Sequence, residues 1–171
     1  INNLFIMAIF SLGDALLILV GQRIGMGQLD YAYALAKKMT RVGILVGIAG
    51  GGLLILFVRL IVQVFNFTAE GQQLVIWITT VYGCFMWLKL YGGLNIVGAF
   101  RCGGDTRYAM LIEGCCVWLI GVPVVYLGVF HLGFPVVLIV LLSQFEEVAK
   151  GILCLRRFRS RKWLKNLISG L

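Results

Sequence analysis

The chain has 171 residues, 61% apolar and only 13% charged, with a mean hydropathy of +0.99. A soluble domain carries about 45–50% apolar and 25% charged residues, so too little polar surface exists here to coat a globule, and a water-soluble enzyme or cytosolic nucleic-acid binder is excluded. The net charge of +8, from 15 Lys+Arg against 7 Asp+Glu, is concentrated at the C-terminus in Arg156, Arg157, Arg159, Arg161, Lys162 and Lys165, and in a membrane chain such clusters report topology before they report nucleic acid.

The opening INNLFIMAIF has no initiator Met and no basic lead-in, so it reads as the inside of a longer protein and not as a signal peptide. At about 1.5 Å of rise per residue and a hydrocarbon core of about 30 Å, five apolar runs predict membrane helices at 4–21, 42–65, 74–100, 108–129 and 136–155. The second follows an amphipathic, basic lead at 31–41. It carries Gly43, Gly47 and Gly51 at four-residue spacing, with Gly50 and Gly52 beside them. This small-residue face predicts close helix packing, or alternatively a hinge. The third run is interrupted by Lys89 and Gly92-Gly93. Pro123 falls inside the fourth, and Pro135 starts the fifth.

The connectors alternate. Arg23, Lys37, Lys38 and Arg41 lie between the first two helices, Arg101 and Arg107 between the third and fourth, and the basic cluster follows the fifth. The intervening NFTAEGQQ and FHLGFP contain no Lys or Arg, and Arg59 is the one basic residue near that end. The positive-inside rule then places the tail, residues 156–171, in the cytoplasm and the start of the chain outside. The five cysteines, Cys84, Cys102, Cys115, Cys116 and Cys154, form no CxxC pair and have only His131 for company. They predict small buried side chains, with neither a disulfide framework nor a metal site.

Six ionisable residues fall within the predicted spans: Asp14, Lys89, Glu113, Glu146, Glu147 and Lys150. Each costs at least about 2.5–3.5 kcal/mol at the centre of a bilayer and so needs a partner or a function. Counting inward from the basic ends puts Lys89, Glu146 and Asp14 roughly 13–18 Å deep, and Glu113 and Lys150 roughly 9 Å deep. Lys89 is therefore expected to neutralise Glu146 or Asp14, and Lys150 to neutralise Glu113, or Glu146 as its i,i+4 neighbour. Acids outnumber bases four to two, which favours a cation or proton site on the carboxylates with the lysines tuning them; structural ion pairing is the other reading. Trp77, Trp87, Trp118 and Trp163 suit interfacial belts or a pocket for flat cations. Trp163 is expected at the interface, Trp87 and Trp118 deeper and pocket-lining. Asn95 is a lone amide, either an interhelical hydrogen-bonding group or a pocket-lining one. No HExxH, GxSxG or GK[ST] signature is present, so the reading is not an enzyme.

Three segments, taken together, resemble the multidrug and toxic compound extrusion family of transporters: Leu19-Val20-Gly21-Gln22-Arg23-Ile24-Gly25-Met26-Gly27, then Val97-Gly98-Ala99-Phe100-Arg101-Cys102-Gly103-Gly104-Asp105-Thr106-Arg107, and the stretch from Trp118-Leu119-Ile120-Gly121-Val122-Pro123 to Arg157-Phe158-Arg159-Ser160-Arg161-Lys162-Trp163-Leu164. The resemblance implies an all-α, polytopic membrane helix bundle, the last five helices of the six-helix second lobe of a twelve-helix protein. It implies export of cationic or aromatic compounds across the plasma (inner) membrane, in antiport with sodium ions or protons and with no other cofactor. The expected partners are the lipid bilayer, a cationic small molecule and a first lobe of the same protein. Because the carboxylate that some relatives carry aligns with the apolar Leu90, coupling is expected to rest on Glu113, Glu146, Glu147 or Asp14, or on residues of the first lobe. Arg101, Asp105 and Arg107 read as a loop latch. A flippase for lipid-linked substrates and a non-transporting membrane subunit are the alternative readings.

Overall fold

The computed structural model describes residues 2–64 and 68–164, with side chains at all of these apart from 2–6, 8–10, 64 and 69. Lys165 and the rest of the C-terminal segment, and the end of the second predicted run, lie outside the described residues.

Five helical rods follow one another. We label them α1 (Asn2–Gly25), α2 (Leu29–Val64), α3 (69–102), α4 (106–131) and α5 (Val136–Arg159). All five predicted runs are present, and each is longer than expected because the polar ends continue the helix. In α2 the amphipathic lead and the apolar run form one helix of 36 residues, roughly 54 Å at helical rise. Asp30 in its first turn complements the helix dipole. Thr68 caps α3, its hydroxyl accepting the Gly71 amide at 3.4 Å. Pro135, with φ −61° and ψ 145°, starts α5, and Arg156, Arg157 and Arg159 fill its last turn. The start of the predicted tail is thus helix.

The protein is an integral membrane helix bundle. Among the described residues, three helices are long and apolar enough to cross a membrane: Leu29–Gln63, Glu70–Cys102 and Thr106–His131. In α5 the triplet Glu146, Glu147 and Lys150 falls within every 18-residue window, so length and composition alone do not qualify it; Glu146 and Lys150 pair with each other.

Helix α3 is central, touching α1 and α2 on one side and α4 and α5 on the other. The α2–α3 contact is the closest, and the glycine face explains it. A Cβ added at Gly51 would overlap the Gly83 carbonyl, one at Gly47 would meet the Trp87 backbone, and one at Gly43 would overlap Leu94. The three glycines therefore act in packing. Gly52, one position round the helix, faces open space.

Neither α3 nor α4 is a uniform α-helix. The Lys89 and Gly92-Gly93 interruption does not break α3; the helix widens to a π-helix at Leu94–Ala99 before a last turn, Phe100–Cys102. In α4, π-helical turns occur at Val117–Gly121 and Leu127–His131, flanking Val122–Tyr126. Pro123 supplies a cause for the first of these, since it has no N–H to donate to the preceding turn and its ring crowds the carbonyl there.

One core forms where the basic connectors meet, and every helix contributes: Leu16, Val20 and Ile24 from α1, Ala32 and Ala36 from α2, Phe100 from α3, Ile112 and Cys116 from α4, Cys154 and Phe158 from α5. Trp163 joins it. The expected interfacial indole is fully buried, because the chain folds back after α5 through Arg161, whose φ of 54° is unusual for a side-chain-bearing residue. Trp163 stacks on Phe158 with centroids 5.4 Å apart and donates its Nε1–H to the Phe158 carbonyl at 3.3 Å. It fills the space beside Gly103, where any Cβ would overlap the Trp163 carbonyl. Cys84 and Cys115, expected inside, are exposed, whereas Cys116 and Cys154 are buried.

Candidate functional site

A cleft of about 600 Å³ opens between α3, α4 and α5. Helix α3 lines it with Lys89, Gly92, Gly93, Ile96, Val97 and Arg101, α4 with Thr106, Ala109, Met110 and Glu113, and α5 with Glu147 and Lys150. Three- and four-residue helical spacing puts 89, 92, 93, 96 and 97 on one face, as it does 106, 109, 110 and 113. Gly92 is buried, yet a Cβ built there meets no atom within 4 Å. The missing side chain leaves room in the cleft and is not required by packing.

Lys150 anchors the wall between α4 and α5. It is 5% exposed, and its ammonium donates to Glu113 Oε1 at 3.0 Å and pairs with Glu146 Oε1 at 2.6 Å. A buried ammonium is tolerated when it is paired and its hydrogens are used, and two carboxylates do both. Glu146 reaches Lys150 from the side facing Gly121, where a Cβ would overlap Glu146 Oε2. The expected Lys150–Glu113 and Lys150–Glu146 pairings both form, at once.

Lys89 pairs with neither expected partner. Glu146 is taken by Lys150. Asp14 is exposed, because Gly13, Leu16 and Val20 form the face of α1 that meets its neighbours, with Gly13 against Val97, and the next residue round turns outward. The Lys89 ammonium lies over the Tyr82 ring, 5.8 Å from its centroid. Among the described residues Lys89 and Glu147 make no salt bridge, although both line the cleft and both are partly buried. Within electrostatic reach of Glu147 stand Lys150, Lys89, Glu146 and Glu113.

The three expected pocket residues lie elsewhere. Trp87 is 41% exposed and Trp118 is 70% exposed; each sits on the far side of its helix from the cleft-lining Lys89 or Glu113. Asn95 is fully buried, its Nδ2 donating to the Tyr91 carbonyl at 2.7 Å, one turn back. Its Oδ1 and the Tyr91 hydroxyl have no hydrogen-bond partner among the described residues.

The expected latch of Arg101, Asp105 and Arg107 is divided among different tasks. Arg101 stands at the mouth of the cleft, and Arg107 is exposed. Asp105 is buried and accepts a 2.7 Å hydrogen bond from Arg157 Nε, while the Arg157 guanidinium also covers the Tyr108 ring at 4.4 Å. Arg161 bridges to Asp30 at 2.8 Å and covers Tyr33 at 4.4 Å. The last turn of α5 therefore holds the α3–α4 connector, and the segment after α5 holds the start of α2. Arg157, Trp163, Gly92 and Gly121 were not singled out by sequence reasoning for these roles. Arg157 was hidden among six basic residues that composition treats alike, and the signal for Gly92 was its place three residues after Lys89.

A family profile described as MatE matches residues 1–127. The chain is 27% identical over 150 residues to an uncharacterized transporter, YisQ, of Bacillus subtilis, covering 86% of this chain and 32% of that relative. It is 30% identical over 129 residues to the probable multidrug resistance protein NorM of Pasteurella multocida, covering 73% of this chain and 27% of the relative. The chain thus spans about a third or less of the length of these curated relatives. No solved structure matches it.

Proposed function

The chain belongs to the MatE family, and from that premise we propose that it is the last five helices of the second lobe of an efflux antiporter, with the cleft between α3, α4 and α5 as its site for a coupling cation or proton. The supporting observation is the convergence of Lys89, Glu113, Glu147 and Lys150, from three helices, on one cleft. Within it the carboxylates have different roles. Glu113 and Glu146 share Lys150 and hold α4 to α5. Glu147, with no salt bridge among the described residues, is the carboxylate that exchanges a sodium ion or proton, and the exchange drives export of a cationic compound through a cavity shared with the first lobe. Arg101, at the mouth, and the C-terminal segment face the cytoplasm in this reading, with the basic connectors on the same side. Asp14 faces away from the cleft and has no part in this exchange.

Efflux of a fluorescent cationic dye by cells expressing the full-length protein tests the assignment. Glu147→Gln is expected to abolish ion-driven efflux with the protein still in the membrane. The double exchange Glu113→Lys with Lys150→Glu is expected to restore much of what either single exchange loses. Full activity of Glu147→Gln would contradict the proposal.

A further inference from the structure

The cleft contains a lysine that the site as described does not use. Lys89 carries a flexible four-carbon stem, and the positions three and four residues on, which share its face of the helix, are Gly92 and Gly93. Both line the cleft, and the space that a side chain at Gly92 would hold is open. Its present contact, 5.8 Å from the Tyr82 centroid, lies at the outer limit of cation–π attraction, about 6 Å. Glu147 lines the same cleft without a salt bridge among the described residues, and an unpaired carboxylate beside an unpaired ammonium in an apolar bundle is costly for both. The other charges facing Glu147 are committed or distant: Lys150 is held by Glu113 and Glu146, and Arg101 stands twelve residues along α3 from Lys89, roughly 18 Å.

We propose that Lys89 is a tethered counter-cation for Glu147: its ammonium swings through the space over Gly92 and Gly93 to neutralise the carboxylate when no cation is bound, and it retires to the Tyr82 ring when one is. The inference rests on the reading of the cleft as the cation site and adds a resident competitor to it. A bound cation must displace Lys89, and Lys89 in turn drives the cation off. The lysine thereby prevents the empty site from holding an uncompensated charge and prevents the loaded site from becoming a trap. It acts as a positioning residue, setting how tightly Glu147 holds a cation.

Binding of radiolabelled sodium ions to the full-length protein in detergent, together with ion-driven efflux of tetraphenylphosphonium, tests this. Lys89→Met, which keeps the stem and removes the charge, is expected to tighten binding about tenfold or more, the effect of losing one close charge in a medium of intermediate dielectric, while lowering the maximal rate of efflux. Lys89→Arg is expected to keep binding weak. The gain is expected to vanish in Lys89→Met combined with Glu147→Gln. Unchanged binding by Lys89→Met, or a gain that persists without the Glu147 charge, would overturn the counter-cation role while leaving the cation site standing, provided Glu147→Gln alone weakens binding. Wild-type binding that Glu147→Gln does not weaken would overturn both.

Discussion

Lys150 is buried and satisfied by two carboxylates, so its removal and theirs are unequal losses. Lys150→Met leaves Glu113 and Glu146 facing one another without their shared cation. It is expected to lower the stability of the full-length protein by about 3 kcal/mol, the scale for breaking a buried ion pair. Glu113→Gln, at a side chain half exposed and with Glu146 still in place, is expected to cost less than half of that. Thermal unfolding in detergent checks both, and equal losses would show that the ammonium is not the hub. The sequence made the pairing of Lys150 legible because depth counted from a basic flank and i,i+4 spacing are one-dimensional measures. It could not show that Asp14 lies outside the site, because depth carries no information on azimuth: Asp14 sits at a suitable level and turns the wrong way. Trp87 and Trp118 escaped for the same reason.

Between elements, glycine decides how closely helices approach. In α2, Gly51 meets the Gly83 carbonyl and Gly52 meets nothing, although the two are adjacent in sequence. Gly51→Ala is expected to destabilise by about 1–3 kcal/mol through overpacking, whereas Gly52→Ala is expected to be neutral or slightly stabilising; chemical denaturation of the two variants side by side distinguishes them. The four-residue spacing announced this crossing, because three close glycines on one face have few other uses in lipid. The π-helical turns had no comparable signal. Pro123 marked one of them as irregular, but whether a helix bends, breaks or widens depends on what its neighbours offer the freed carbonyls. Residues 94–99 of α3 show the same limit, since Gly92-Gly93 suggested an interruption and packing against α1 kept the rod continuous.

At the scale of the whole molecule, the five helices are tied together at one end. Trp163 closes the core to which all of them contribute, Asp105–Arg157 joins the α3–α4 connector to α5, and Arg161–Asp30 joins the segment after α5 to α2. Trp163→Ala is expected to cost about 3–5 kcal/mol and to raise maleimide labelling of Cys102, which lies partly buried beside the turn that Trp163 supports. Unchanged labelling would mean that the turn is held without the indole. Composition made the membrane class legible and the basic run suggested a tail, but charge alone could not reveal that one tryptophan within that run is buried. The opposite end of the bundle has no such fastening among the described residues, and the cleft extends from the tied end toward it. The central claim, that Glu147 is the exchangeable carboxylate, is tested most directly by treating the full-length protein with dicyclohexylcarbodiimide, which attacks protonated carboxyl groups in apolar surroundings, and locating the adduct by mass spectrometry. The account predicts modification at Glu147, little at Glu113 or Glu146 because both are engaged by Lys150, and protection of Glu147 by sodium ions. An unmodified Glu147, or a modification that no cation suppresses, would contradict it.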